Sequence, residues 1–158
     1  MALSGIQAVA KAGTDQPKQS AGKLTAMLIL TDKPKIYSRK WSRDKSKFPV
    51  GPTVSAIAKS RLVVAMVFFK GCSAGRYRRC DSEVTFQVFK PDGKLYAKRD
   101  GLALWRGREV KGVMLSQANL AISFEAKDPV GKYKIKVTIR DNVSNKKLTL
   151  VRYLNVKA

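Results

Sequence analysis

A chain of 158 residues, 44% of them apolar, has the length of one domain and enough apolar surface for one real core. Its charge is extreme: 32 Lys and Arg stand against 11 Asp and Glu, for a net +21, and histidine is absent. No apolar run reaches the about 18 residues a membrane-spanning helix needs, and without imidazole the Ser-His-Asp and Cys-His routes to an activated nucleophile are closed.

Residues 1–22 are rich in Ala, Gly, Ser and Gln, show no sustained helical period, and read as a flexible N-terminal segment ahead of a domain spanning 23–158. A short apolar stretch ending in Ala10-Lys11-Ala12 offers an alternative reading, the remnant of an export signal. From Lys23 to Leu30 the chain turns apolar at strand length, and Arg61 to Phe69 does so again. Between these runs, Lys33, Lys35, Arg39, Lys40, Arg43, Lys45 and Lys47 interleave with Tyr37, Trp41 and Phe48, opposed only by Asp32 and Asp44. As an extended segment, 33–48 is suited to tracking a phosphate backbone while stacking on bases. The competing reading pins Tyr37 and Trp41 into the core, which is where aromatic side chains usually go.

Cys72 and Cys80 follow, separated by a loop that carries Arg76, Arg78 and Arg79. Neighbouring strands on either side would bring the two thiols within bonding distance, making this a stapled hairpin loop; two free thiols in a cytosolic protein are the alternative. Two thiolates with no further Cys or His do not close a tetrahedral zinc site, and the spacing is not the C-x-x-C of a redox pair. No metal or other cofactor is expected.

The rest of the chain alternates with period two. Val84, Phe86 and Val88 oppose Glu83, Thr85 and Gln87, and Tyr133, Ile135, Val137 and Ile139 oppose Lys134, Lys136, Thr138 and Arg140. Turn residues at 91–93, 99–101, 128–131 and 142–145 separate these short strands, which predicts an all-β, antiparallel two-sheet sandwich. Lys132, Lys134, Lys136 and Arg140 then lie on an outer face, either as a binding array or as charges that deter edge pairing.

The segment "DPVGKYKIKVTIRD", together with "PDGKLYAKRDGLALW" and the final "LTLVRYLNVK", resembles small exported bacterial proteins with an immunoglobulin-like β-sandwich and no assigned activity. The resemblance covers about residues 61–158. It implies that Tyr133 is a corner residue whose hydroxyl returns to the backbone, with Asp128 and Gly131 shaping the turn. It departs from antibody-type domains at Ile135, where their second cysteine would stand.

The acids fall mostly at turns, no glycine-rich phosphate cradle occurs, and no catalytic residue is assigned. The reading is a non-enzymatic immunoglobulin-like module, periplasmic or secreted, docking on an acidic protein surface or anionic polymer or joining a larger envelope assembly. Its candidate contacts are Lys33, Lys35, Arg39, Lys40, Trp41, Arg43, Arg76, Arg78, Arg79, Lys134 and Lys136. The alternatives are a nucleic-acid-binding protein using 33–48, with a cytoplasmic location open, and, ranked last, a hydrolase with a carboxylate pair.

Overall fold

A computed structural model describes Asp15 and residues 17–158. Most of the N-terminal segment, including the Ala10-Lys11-Ala12 site, lies outside the described residues. The fold is mostly β, built as two sheets. In the first, β1 (Lys18–Ala21), β2 (Leu24–Thr31), β4 (Val63–Lys70) and β7 (Met114–Leu115) stand in that order, and β8 (Leu120–Ile122) also pairs with β4. In the second the order is β3 (Ala56–Ala58), β10 (Lys147–Lys157), β9 (Gly131–Asp141), β5 (Arg79–Phe89) and β6 (Leu95–Arg108).

The main core lies between the sheets. Leu24, Ala26, Leu28 and Leu30 of β2 and Val63, Ala65, Val67 and Phe69 of β4 meet Val84, Phe86 and Val88 of β5 and Tyr133, Ile135, Val137 and Ile139 of β9. The first sheet is also buried on its outer side, where Ile29, Met66 and Phe68 pack with Tyr37 and Val113. Burial on both faces is why β2 and β4 read as continuous apolar runs while β5 and β9 alternate.

The cover over that outer side corrects the sequence reading. Residues 33–48 are not extended: Pro34–Arg43 form a helix, α1, with proline in its first turn and Lys40 and Arg43 in its last, which suits the negative C-terminal end of the helix dipole. Tyr37 and Trp41, four residues apart, share the face toward the sheet, and their rings each lie 6.5 Å from that of Phe68.

Four further expectations change. Lys18–Ala21, placed in the flexible segment 1–22, form a strand paired with β2. The sheets are not wholly antiparallel, since β3 runs parallel to β10 over Asn155–Lys157. Asp100 and Gly101 do not turn the chain: β6 continues through them as a bulge opposite Thr85, with Gly101 at φ 60° and its N–H donating to Thr85 Oγ1. The Cys72–Cys80 loop is not a hairpin, because β4 and β5 belong to different sheets and the loop crosses from one to the other. The disulfide itself is formed, with Cα atoms 6.0 Å apart.

Candidate anion-binding surfaces

Along β9 the core-facing side chains alternate with Lys132, Lys134 and Lys136 on the outer face, so successive ammonium groups rise from positions roughly 7 Å apart. Cross-strand register sets Lys134 between Phe89 of β5 and Tyr153 of β10, Lys136 between Gln87 and Val151, and Lys132 beside Asn155. The Lys132 ammonium sits over the Tyr153 ring, 4.7 Å from its centre. Phe89, Lys132, Lys134, Lys136 and Tyr153, with Lys90 and Pro91, line a groove of about 460 Å³. A second hollow of about 500 Å³ shares Lys132 and Tyr153 and extends the basic surface to Lys157. Among the described residues, no ion pair engages Lys132, Lys134 or Lys136. Their charge faces solvent uncompensated at contact range.

Phe89 and Tyr153 were not singled out in the sequence, although the signal was present. Val84, Phe86 and Val88 face inward, which puts Phe89 outward; Leu148, Leu150, Leu154 and Val156 do the same for Tyr153. The same alternation turns Arg152 toward the core side. There its Nε donates to the Leu28 carbonyl at 3.2 Å and Nη1 pairs with Asp15 at 3.5 Å, while the other Asp15 oxygen accepts the Tyr153 N–H.

The stapled loop forms a second basic surface, at the β5–β6 end of the molecule. Its base is fixed by the disulfide and by the buried Asp141 carboxylate, which accepts the Ser73 N–H at 2.8 Å. Arg76–Arg78 make a short 3₁₀ turn closed by the Gly75 N–H donating to the Arg79 carbonyl. Tyr77 and Arg78 sit at φ 57° and 56°, a left-handed backbone that costs a non-glycine residue roughly 1–2 kcal/mol, and Tyr77 is 82% exposed. Arg76, Arg78 and Arg79 are all exposed. Arg76 and Arg79 line a groove of about 450 Å³ with Arg106 of β6, a residue the sequence did not connect to them because the pairing is long-range.

The third surface is the outer side of α1. Lys33, Lys35, Arg39, Lys40 and Arg43 are exposed there, with Lys40 Nζ donating to the Val50 carbonyl at 2.6 Å. Trp41 is not available as a stacking platform: it is half-buried, its indole N–H donates to the Val113 carbonyl at 2.7 Å, and the Lys45 ammonium lies 4.6 Å from its ring centre. The Phe48 ring is flanked by the ammonium groups of Lys18 and Lys70.

The Asp128, Gly131 and Tyr133 corner belongs to the core rather than to these surfaces. The Tyr133 hydroxyl donates to the Pro129 carbonyl at 2.7 Å, and Gly131 at φ 133° lets the chain pass Pro91, whose Cγ would lie 2.9 Å from an added Cβ. The Asp128 carboxylate accepts from the Tyr96 hydroxyl at 2.6 Å and the Glu125 N–H at 2.7 Å, and these two bonds, the tyrosine's foremost, hold its carboxyl below the ordinary range. Burial, and after it the bond to Asp128, pushes the Tyr96 phenol well up; burial likewise raises Tyr133. Tyr96, Phe124 and Tyr133 form a ring cluster with centres 4.6–5.6 Å apart.

Among the described residues no group of three or more His, Cys, Asp or Glu could hold a metal ion, and no helix is long and apolar enough to cross a membrane. No protein-family model matches the chain, and no curated protein does. Solved structures give distant likenesses. A Niemann-Pick type C2 protein from the Japanese carpenter ant is 8% identical, covering 90% of this chain and 93% of its own, with a TM-score of 0.47. A family 123 glycoside hydrolase from Clostridium perfringens is 8% identical over 84% of this chain and 27% of its own, with a TM-score of 0.49. The CARDB domain of a Pyrococcus furiosus protein is 16% identical over 66% of this chain and 81% of its own, with a TM-score of 0.36.

Proposed function

We propose that this chain is a non-enzymatic, exported, immunoglobulin-like module that docks on an anionic polymer through the outer face of its second sheet. The observation that carries the reading is the file of Lys132, Lys134 and Lys136 between Phe89 and Tyr153. A regular row of uncompensated ammonium groups along a groove favours a long anion over a compact one. The two rings add flat apolar contact that a purely solubilising charge array would not need. The immunoglobulin-like assignment draws support from the two packed sheets and from the Tyr133 hydroxyl's return to the Pro129 backbone. Export draws support from the disulfide, since such bonds persist in oxidising compartments. The nucleic-acid reading through 33–48 has less behind it, because Tyr37 and Trp41 are both packed against the sheet.

Lysine-reactive footprinting tests the docking face. With polyglutamate bound, acetylation of Lys132, Lys134 and Lys136 should slow several-fold, while Lys33, Lys35 and Lys47 keep their rates. Protection centred on 33–47 instead would sink the proposal and promote the helix surface.

A further inference from the structure

The groove between the stapled loop and β6 differs in chemistry from the lysine face. Its cations are arginines, and they arrive from three places: Arg76 from the 3₁₀ turn, Arg79 from the start of β5 and Arg106 from β6. The bond from the Gly75 N–H to the Arg79 carbonyl folds the loop back so that Arg76 and Arg79 line one cavity. Gly75 and Gly107 leave part of its wall without side chains. Arg106 is already oriented by two acids, Nε at 3.3 Å from Asp81 and Nη2 at 3.7 Å from Glu83. Those two carboxylates outweigh its single charge, and Asp81 itself lines the groove, so the net attraction rests on Arg76 and Arg79, neither of which makes an ion pair among the described residues.

We infer that this groove is a binding site for a tetrahedral dianion, the phosphate of a monoester or a sulfate. A planar carboxylate is satisfied by one guanidinium fork, whereas two forks reaching in from different elements, Arg76 from the 3₁₀ turn and Arg79 from β5, match an acceptor with oxygens on every side. The crosslink is part of the site: Cys80 lines the groove, and the Cys72–Cys80 bond together with Asp141 holds the loop that presents Arg76 and Arg79. The site stands whether or not the lysine face takes a polymer, since the two surfaces share no residue.

The absence of histidine makes the test clean, because few protein groups titrate between pH 5.5 and 7. Binding of methyl phosphate should saturate at one site per chain at constant ionic strength. It should strengthen as pH rises through about 6, where the monoester takes its second charge, while binding of sulfate stays flat. Dimethyl phosphate, the monoanion that models a polymer backbone, should bind about tenfold more weakly or worse. Arg76→Gln with Arg79→Gln should lower methyl phosphate affinity about tenfold or more, and Lys134→Gln with Lys136→Gln, which removes the same charge, should change it less than about twofold. Reduction of the disulfide, with the fold checked by circular dichroism, should also weaken binding. Equal loss in the two double variants, or equal binding of mono- and diester, would overturn the inference and leave only the general pull of a cationic protein.

Discussion

Tyr133 shows how a single hydroxyl can hold a corner. Its ring is wholly buried and its oxygen donates to Pro129, four residues back. Tyr133→Phe keeps the ring and removes the bond, leaving the carbonyl without that partner, so chemical denaturation should register a loss of about 1–3 kcal/mol with the fold retained. A variant as stable as the parent would reduce Tyr133 to a packing residue. Asp128, on the same corner, sets a pH dependence. Because its folded carboxyl titrates below the unfolded value, its contribution is present above about pH 4, where the unfolded carboxyl is ionised, and is lost as pH falls through the folded value. The stability gap between the parent and Asp128→Asn should therefore be full at pH 6 and shrink below pH 4, a trend that urea titrations at several pH values would check. A gap that stays constant into acid would mean the charge on Asp128 does nothing for the fold. This corner was legible because it is local: Asp128, Gly131 and Tyr133 lie within six positions of each other. Arg106 was not, because its place beside Arg76 and Arg79 depends on strand register across nearly thirty residues.

At the scale of elements, period-two alternation in β5 and β9 was enough to say which side faces the core, and therefore which lysines face out. The continuous apolar runs of β2 and β4 carried a further message, that something must cover the other side of their sheet. That cover is α1, and its signals were faint: Pro34 at the start, and one apolar pair, Tyr37 and Trp41, at helical spacing among cations. Three large apolar residues in ten, with only Tyr37 and Trp41 at helical spacing, do not make a stripe, which is why the segment looked extended. The stapled loop was half legible. Two cysteines eight positions apart indicated a crosslink, but no local signal told that β4 and β5 would part into different sheets. Closing so short a loop limits the unfolded chain by a term of about 2–3 kcal/mol in the chain-entropy model. Cys72→Ser with Cys80→Ser should lower stability by that order in thermal or urea unfolding, and the untreated parent should titrate almost no free thiol. Full stability in the double variant would place the crosslink's value elsewhere than in the fold.

Over the whole molecule, a net +21 repels itself and attracts every polyanion, so binding alone identifies no site. What separates a docking face from a general cloud of charge is whether equal charge removed from different places has unequal effect. Lys132→Gln, Lys134→Gln and Lys136→Gln remove three charges from the β9 face; Lys35→Gln, Arg39→Gln and Arg43→Gln remove three from the outer side of α1. All six side chains stand at least partly in solvent and leave the apolar cores untouched, so both variants should fold. The decisive measurement is the salt dependence of polyglutamate affinity for the parent and these two variants. If the β9 face is the docking surface, the first variant loses affinity at every salt concentration and its log–log salt slope falls by about two units, by analogy with the roughly 0.7 per contact known for single-stranded polyanions. The α1 variant keeps a slope close to the parent's. Equal losses in the two variants, or a larger loss from α1, would contradict the account.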